Sequence, residues 1–148
     1  MNNRGITLIE LIIVLAILSI IFSISIPQFN DIIARYELQT TARMVTSDLR
    51  LAQQMAISKG EYYRILFDLF NRDRYQLLSG SKIIKQVFLP KGVKLSATSF
   101  KGNTVMFTPL GAPVPAGSIM LTGRNNENLF VIVAVATGRV RISSNPPD

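Results

Sequence analysis

Residues 5–27 read Gly-Ile-Thr-Leu-Ile-Glu-Leu-Ile-Ile-Val-Leu-Ala-Ile-Leu-Ser-Ile-Ile-Phe-Ser-Ile-Ser-Ile-Pro, and the fold class turns on this stretch. Ile6 to Ile26 is 21 residues. At about 1.5 Å per residue such a run crosses the roughly 30 Å hydrocarbon core of a bilayer as one helix. Its only ionisable side chain is Glu10, and the run holds no base to pair with it. A carboxylate in that setting costs on the order of a few kcal/mol, more than a simple anchor would carry without a purpose.

A secretory signal peptide has a basic segment, a short apolar segment and then a small-residue cleavage site. Here the basic, small pair Arg4-Gly5 comes before the apolar run, and Pro27-Gln28-Phe29 follows it. A cut after Gly5 would leave the whole apolar helix on the chain, with a new amine on Ile6. Ile6 and Glu10 are four residues apart and share a helix face. The amine that meets Glu10 can belong to the same chain or to an adjacent copy. In the second case the acid sets the register of a helical polymer, because a misplaced subunit leaves a charge unpaired among apolar side chains.

The segment Arg4-Gly5-Ile6-Thr7-Leu8-Ile9-Glu10-Leu11, with the apolar residues and Pro27 after it, resembles the class III signal of type IV pilins and type II secretion pseudopilins. The resemblance covers roughly the first thirty residues. It implies a leader over residues 1–5 removed by a prepilin peptidase, cleavage and N-methylation at Gly5 and Ile6, and Glu10 as the assembly acid. It also implies other pilin or pseudopilin subunits and an inner-membrane assembly platform as partners. The subunit would be a single-pass inner-membrane protein first, then part of a filament with its head outside the cytoplasm. Ile6 departs from the Phe usual at that position.

Beyond the span, Pro27 is expected to kink the helix by removing one backbone donor. Phe29, Ile32, Ile33, Tyr36, Leu38, Ala42, Val45, Leu49, Ala52 and Ala56 then continue at steps of three and four. Arg35, Glu37, Gln39, Arg43, Asp48, Arg50, Gln53 and Gln54 are read as the polar face. The pattern predicts a helix over 6–58, apolar at 6–26 and amphipathic at 27–58, stopped by Lys59-Gly60. Unbroken, it would be about 80 Å long.

Residues 59–148 read as a β-rich head. Strands are expected at Tyr62–Phe70, Arg74–Leu78, Lys82–Leu89, Val93–Ala97, Thr104–Thr108, Ser118–Thr122, Leu129–Ala136 and Arg139–Ser143, with turn residues between them. This spacing suits antiparallel meanders, with the helix stripe packed on one sheet face. Thr108–Gly117 reads as a Pro/Gly-rich connection. The fold class is therefore α+β, a long N-terminal transmembrane helix packed on a C-terminal antiparallel sheet.

The 148 residues contain no Cys and no His, so zinc sites and the usual nucleophile–base pairs are out of reach. No calcium-loop pattern occurs among the acids. No catalysis, cofactor or metal is expected. The formal charge of +7 is uneven: residues 81–148 hold eight bases against Glu127 and Asp148. A net positive field of that size attracts polyanions within a Debye length.

The segments Arg50-Leu51-Ala52-Gln53-Gln54-Met55-Ala56-Ile57, Phe67-Asp68, Phe107-Thr108-Pro109-Leu110-Gly111 and Thr137-Gly138-Arg139-Val140-Arg141-Ile142 resemble the GspH/FimT group of minor pilins and pseudopilins. Absence of a C-terminal Cys pair leans the same way. Arg139 and Arg141 would share one face of a strand, about 7 Å apart, and Arg suits bidentate phosphate contact. The resemblance implies a candidate site for double-stranded DNA at Arg139 and Arg141, extended by bases such as Arg124. Two readings stand: a minor pilin that holds DNA for uptake in transformation, and a secretion pseudopilin whose arginines merely solvate a sheet edge.

Overall fold

The computed structural model describes residues 7–135 and 138–147, and for residues 24–29 the backbone only. The chain divides into two compact units, Met1–Ile33 and Ala34–Asp148. Helix α1, Leu8–Lys59, contributes to both.

In the first unit α1 is apolar on every side from Leu8 to Phe22, apart from Glu10 and Ser19. Leu8, Ile9, Leu11 to Leu15, Ile17, Leu18 and Ile20 to Phe22 leave their side chains exposed, from 40% at Leu18 to 76% at Leu8. A helix with no polar face needs apolar surroundings on all sides. Ser19 and Ser23 fit that demand, since Ser19 Oγ donates to Leu15 O at 2.7 Å and Ser23 Oγ to Ser19 O at 2.8 Å. Among the described residues no helix is long and apolar enough to cross a membrane. The span expected over 6–26 runs past the described side chains at both ends, with Ile6 on one side and residues 24–26 on the other. Pro27 lies inside α1, where only the backbone is described. Its expected kink therefore falls outside the described side chains.

In the second unit α1 is amphipathic. Ala34, Leu38, Ala42, Val45, Leu49, Ala52 and Ala56 form one buried stripe. Thr41 and Thr46 are also buried, and each hydroxyl is satisfied by the carbonyl four residues back. The helix ends at Lys59; Gly60 has φ +67° and donates its N–H to Ala56 O at 3.0 Å.

Among the described residues nine strands follow: β1 Tyr63–Asp68, β2 Arg74–Ser79, β3 Lys82–Phe88, β4 Val93–Thr98, β5 Thr104–Phe107, β6 Pro113–Val114, β7 Gly117–Gly123, β8 Asn128–Val133 and β9 Val140–Ser143. They make two antiparallel sheets, in the orders β3-β2-β1-β5-β6 and β4-β7-β8-β9. Two pairings are non-local, β1 with β5 (Ile65 opposite Val105) and β4 with β7 (Leu95 opposite Leu121). One core joins the helix stripe to both sheets through Ile65, Phe67, Tyr75, Leu77, Leu95, Val105, Phe107, Ile119, Leu121 and Val131. Phe67 stacks on Phe100 with ring centres 6.1 Å apart and meets Tyr75 at 6.0 Å.

The expected antiparallel head is present, divided among the described residues into two sheets because β4 pairs with β7. Two expectations are corrected here. Part of the segment read as a loop is strand β6, which pairs Met106 with Val114 and Phe107 with Pro113 at a sheet edge, where proline's missing N–H is harmless. Asp48, assigned to the polar face, is buried; its carboxylate accepts from Tyr75 Oη at 2.7 Å and Lys85 Nζ at 2.6 Å. The pair ties α1 to β2 and β3.

Candidate functional site

The last hairpin carries the candidate basic site. Strand β9 is an edge of the second sheet and pairs with β8, with Arg141 opposite Ile132 and Val140 opposite Val133. Thr137 in the connecting turn lies outside the described residues. The turn closes through Ala134 N–H to Arg139 O at 3.0 Å and Gly138 N–H to Ala134 O at 3.2 Å. Gly138 has φ +62°, and a Cβ there would run into the Gln53 side-chain amide and sit 3.0 Å from Gly111 O. Glycine is needed twice over, for the left-handed backbone and for the close approach. Gln53 also donates to Gly111 O at 2.8 Å, so the helix residue beside the Gly138 turn is bonded to the β5–β6 loop.

Val140 is buried, whereas Arg139 and Arg141 are exposed. Arg139 precedes β9, so strand alternation does not place it with Arg141. It lines a recess of about 300 Å³ with Arg50, Gln53, Gln54, Gly138 and Val140. Arg50 donates to Val140 O at 3.4 Å. Farther along the same seam, Gln39 and Arg43 of α1 face Leu129 and Ile142 across a second recess of about 250 Å³. Arg124 lies elsewhere: it follows β7, at the opposite end of β8 from the Gly138 turn, with Nη2 3.6 Å from Glu37 Oε2. The structure therefore brings Arg139 to Arg50 and does not bring Arg124 to either. Sequence reading missed Arg43 and Arg50 as companions of the hairpin. Their seven-residue spacing, two turns on one helix face, was a visible signal, but not what lay opposite.

A larger concavity of about 370 Å³ lies at the β1–β2 turn, lined by Leu66–Asn71, Arg74, Gln76 and Asn103. Its acid, Asp68, accepts the Asn71 N–H, the Asn71 side chain and the Phe70 N–H, and faces Arg74 at 3.3 Å. The Asn71 bonds above all hold its carboxyl below the usual carboxylate range. Such a saturated carboxylate shapes a turn.

At the other end of the chain, Gly5 and Ile6 lie outside the described residues. Glu10 Oε2 accepts the Thr7 backbone N–H at 3.0 Å and the Thr7 hydroxyl at 3.1 Å, and Thr7 Oγ1 accepts the Glu10 N–H at 3.3 Å. This is a capping box, in which cap residue and third helical residue satisfy each other's free donors. The Thr-x-x-Glu spacing was legible, yet the acid had been assigned only to an amine.

A family model described as the prokaryotic N-terminal methylation motif matches residues 1–26. A second model, type II transport protein GspH, matches residues 41–144, more than half of the chain. The chain belongs to the GspH family. The GspH fold is seen directly in the minor pseudopilin EpsH of the Vibrio cholerae type 2 secretion system, at a TM-score of 0.59 and 16% identity over 72% of this chain and 96% of that one. It is seen again in the type IV minor pilin FimU of Pseudomonas aeruginosa PAO1, at 0.62 and 17% over 76% and 94%. Among curated relatives, the competence protein ComGD of Bacillus subtilis strain 168 is 27% identical over 145 residues, 95% of this chain and 94% of its own. A Pseudomonas aeruginosa fimbrial protein is 45% identical over 59 residues, 40% of this chain and 38% of its own. The role of this GspH-family chain is that of a minor pilin or pseudopilin, a structural subunit.

Proposed function

We propose that the chain is a prepilin-type subunit, cut after Gly5, methylated at Ile6, held by one membrane span over 6–26 and then drawn into a pilus-like filament. Residues 1–5 are the leader, and the head, residues 59–148, stays outside the cytoplasm. A prepilin peptidase, sister subunits and an inner-membrane assembly platform are its partners, and it catalyses nothing itself. Glu10 pairs with the Ile6 amine of a neighbouring subunit, and Pro27 bends the helix where it leaves the polymer core.

The filament serves DNA uptake, with Arg139 and Arg141 of the head against double-stranded DNA. The observation that carries this reading is the similarity to a competence protein along leader, helix and head together. Arg124, engaged by Glu37, stands outside that contact. A second reading, a subunit for protein export, is favoured by the GspH match of the head.

Removal of the gene from its own host separates them, with transformation frequency and exported protein measured in the same strain. Competence predicts loss of transformation with export unchanged, and the reverse result supports the secretion subunit. Mass spectrometry of the cellular protein tests processing: a methylated Ile6 terminus is expected, and an intact Met1 overturns it.

A further inference from the structure

We infer that the seam between α1 and β9 is a track for the phosphodiester backbone of double-stranded DNA, in which Arg43 and Arg50 of the helix act with Arg139. The inference rests on the DNA-holding reading and extends it from the hairpin to the helix.

Arg43 and Arg50 are both exposed on one face of α1, about 10 Å apart along the axis. Each lines a recess closed on its far side by the last hairpin. Arg50 spends one nitrogen on Val140 O, and a guanidinium carries five N–H donors, so most remain for an anion. Gln53 and Gln54 add amides beside it.

Among the described residues no carboxylate lines either recess. The acids of residues 34–148 that form described ion pairs are matched with other bases: Glu127 with Arg35, Glu37 with Arg124, Asp48 with Lys85, and Asp68 and Asp73 with Arg74. Among the described residues neither Arg43 nor Arg50 is in one of these ion pairs.

The chemistry selects the partner. The bases lining the two recesses are all arginine, whose planar fork matches phosphate oxygens in pairs. Among the described residues no aromatic side chain lines either recess, so unstacked bases find there no platform of the kind that holds single strands. Backbone contact without base contact suits duplex DNA of any sequence and weakens steeply with salt.

The test uses the full chain in detergent micelles, a fluorescent random-sequence duplex and a salt titration. R43E and R50E should each weaken binding about tenfold, and each should lower the slope of log K against log salt by about one. R43Q and R50Q, which keep the fold's contacts more nearly intact, should lose about threefold with an unchanged melting curve. R124E should change binding less than twofold, in keeping with its place outside the seam. Wild-type binding by R43E and R50E, with R139E defective, overturns the track while leaving the hairpin reading in place. Absence of duplex binding by the wild type at low salt removes both. Preference for single strands, or equal competition by polyglutamate, also overturns the inference, because the seam would then be matched to another polyanion.

Discussion

The two halves of α1 share one hydrogen-bonded backbone and follow opposite sequence rules. Residues 34–59 carry a single apolar stripe, buried against both sheets, with Arg35, Gln39, Arg43, Arg50 and Gln54 outside. From Leu8 to Phe22 the large apolar side chains face outward all round. A stripe finds its partner within the same chain, since one buried face is enough to fix it. A helix apolar on every side must find its partner in lipid or in other helices. One half therefore stabilises the head, and the other leaves exposed an apolar surface whose one acid between Leu8 and Phe22 is Glu10.

The largest effect that would sharpen this contrast is at Glu10. Glu10→Ala should insert in the membrane normally yet fail to enter filaments, read by immunoblotting of sheared filaments against membranes. Incorporation at the wild-type level would break the comparison. Next comes a matched pair of truncations. Leu49→Ala should cost the head about 3 kcal/mol of stability in urea unfolding, because Leu49 is fully buried. Leu15→Ala should leave that transition unmoved and lower only filament yield.

A smaller effect is expected at Tyr75, whose hydroxyl bonds the buried Asp48. Tyr75→Phe should cost about 1–2 kcal/mol by leaving that carboxylate one donor short. Burial, followed by the hydrogen bond and charge of Asp48, holds the Tyr75 proton on well above its ordinary value of 10.0. The unfolded chain releases this proton near pH 10 and the folded chain keeps it. Its stabilising contribution is thus complete below pH 10 and declines as pH rises beyond it. Tyr75→Phe should flatten that part of the alkaline decline in melting temperature. The smallest effect is Gly138→Ala, about 1 kcal/mol from the left-handed backbone and the crowding at Gly111 O. It should appear as faster amide exchange in the last hairpin.

Local patterns were legible wherever one residue's chemistry decided the outcome. Lys59-Gly60 marked the helix end, and runs of β-branched and aromatic residues marked most strands. Strand β6 was hidden because Pro113 and Gly111 read as turn residues, and only pairing with β5 makes two residues a strand. Asp48 was misplaced because a carboxylate on a helix reads as solvent-facing until Tyr75 and Lys85 arrive from 27 and 37 residues away. At the candidate site, Arg139 and Arg141 were legible from the Gly-Arg-Val-Arg pattern. Arg43 and Arg50 were not, because the Val140 carbonyl beside Arg50 lies 90 residues farther along the chain.

The amino-acid order alone determined the processing motif, the apolar segment with its lone acid, the helix stripe and the basic bias of the last 68 residues, because each follows from neighbours within a few turns. Tertiary structure alone decided that β1 pairs with β5 and β4 with β7, that Asp48 turns inward, and that Arg124 stands apart while Arg50 joins the hairpin. These arrangements depend on residues far apart in sequence, which the closing of the core brings together.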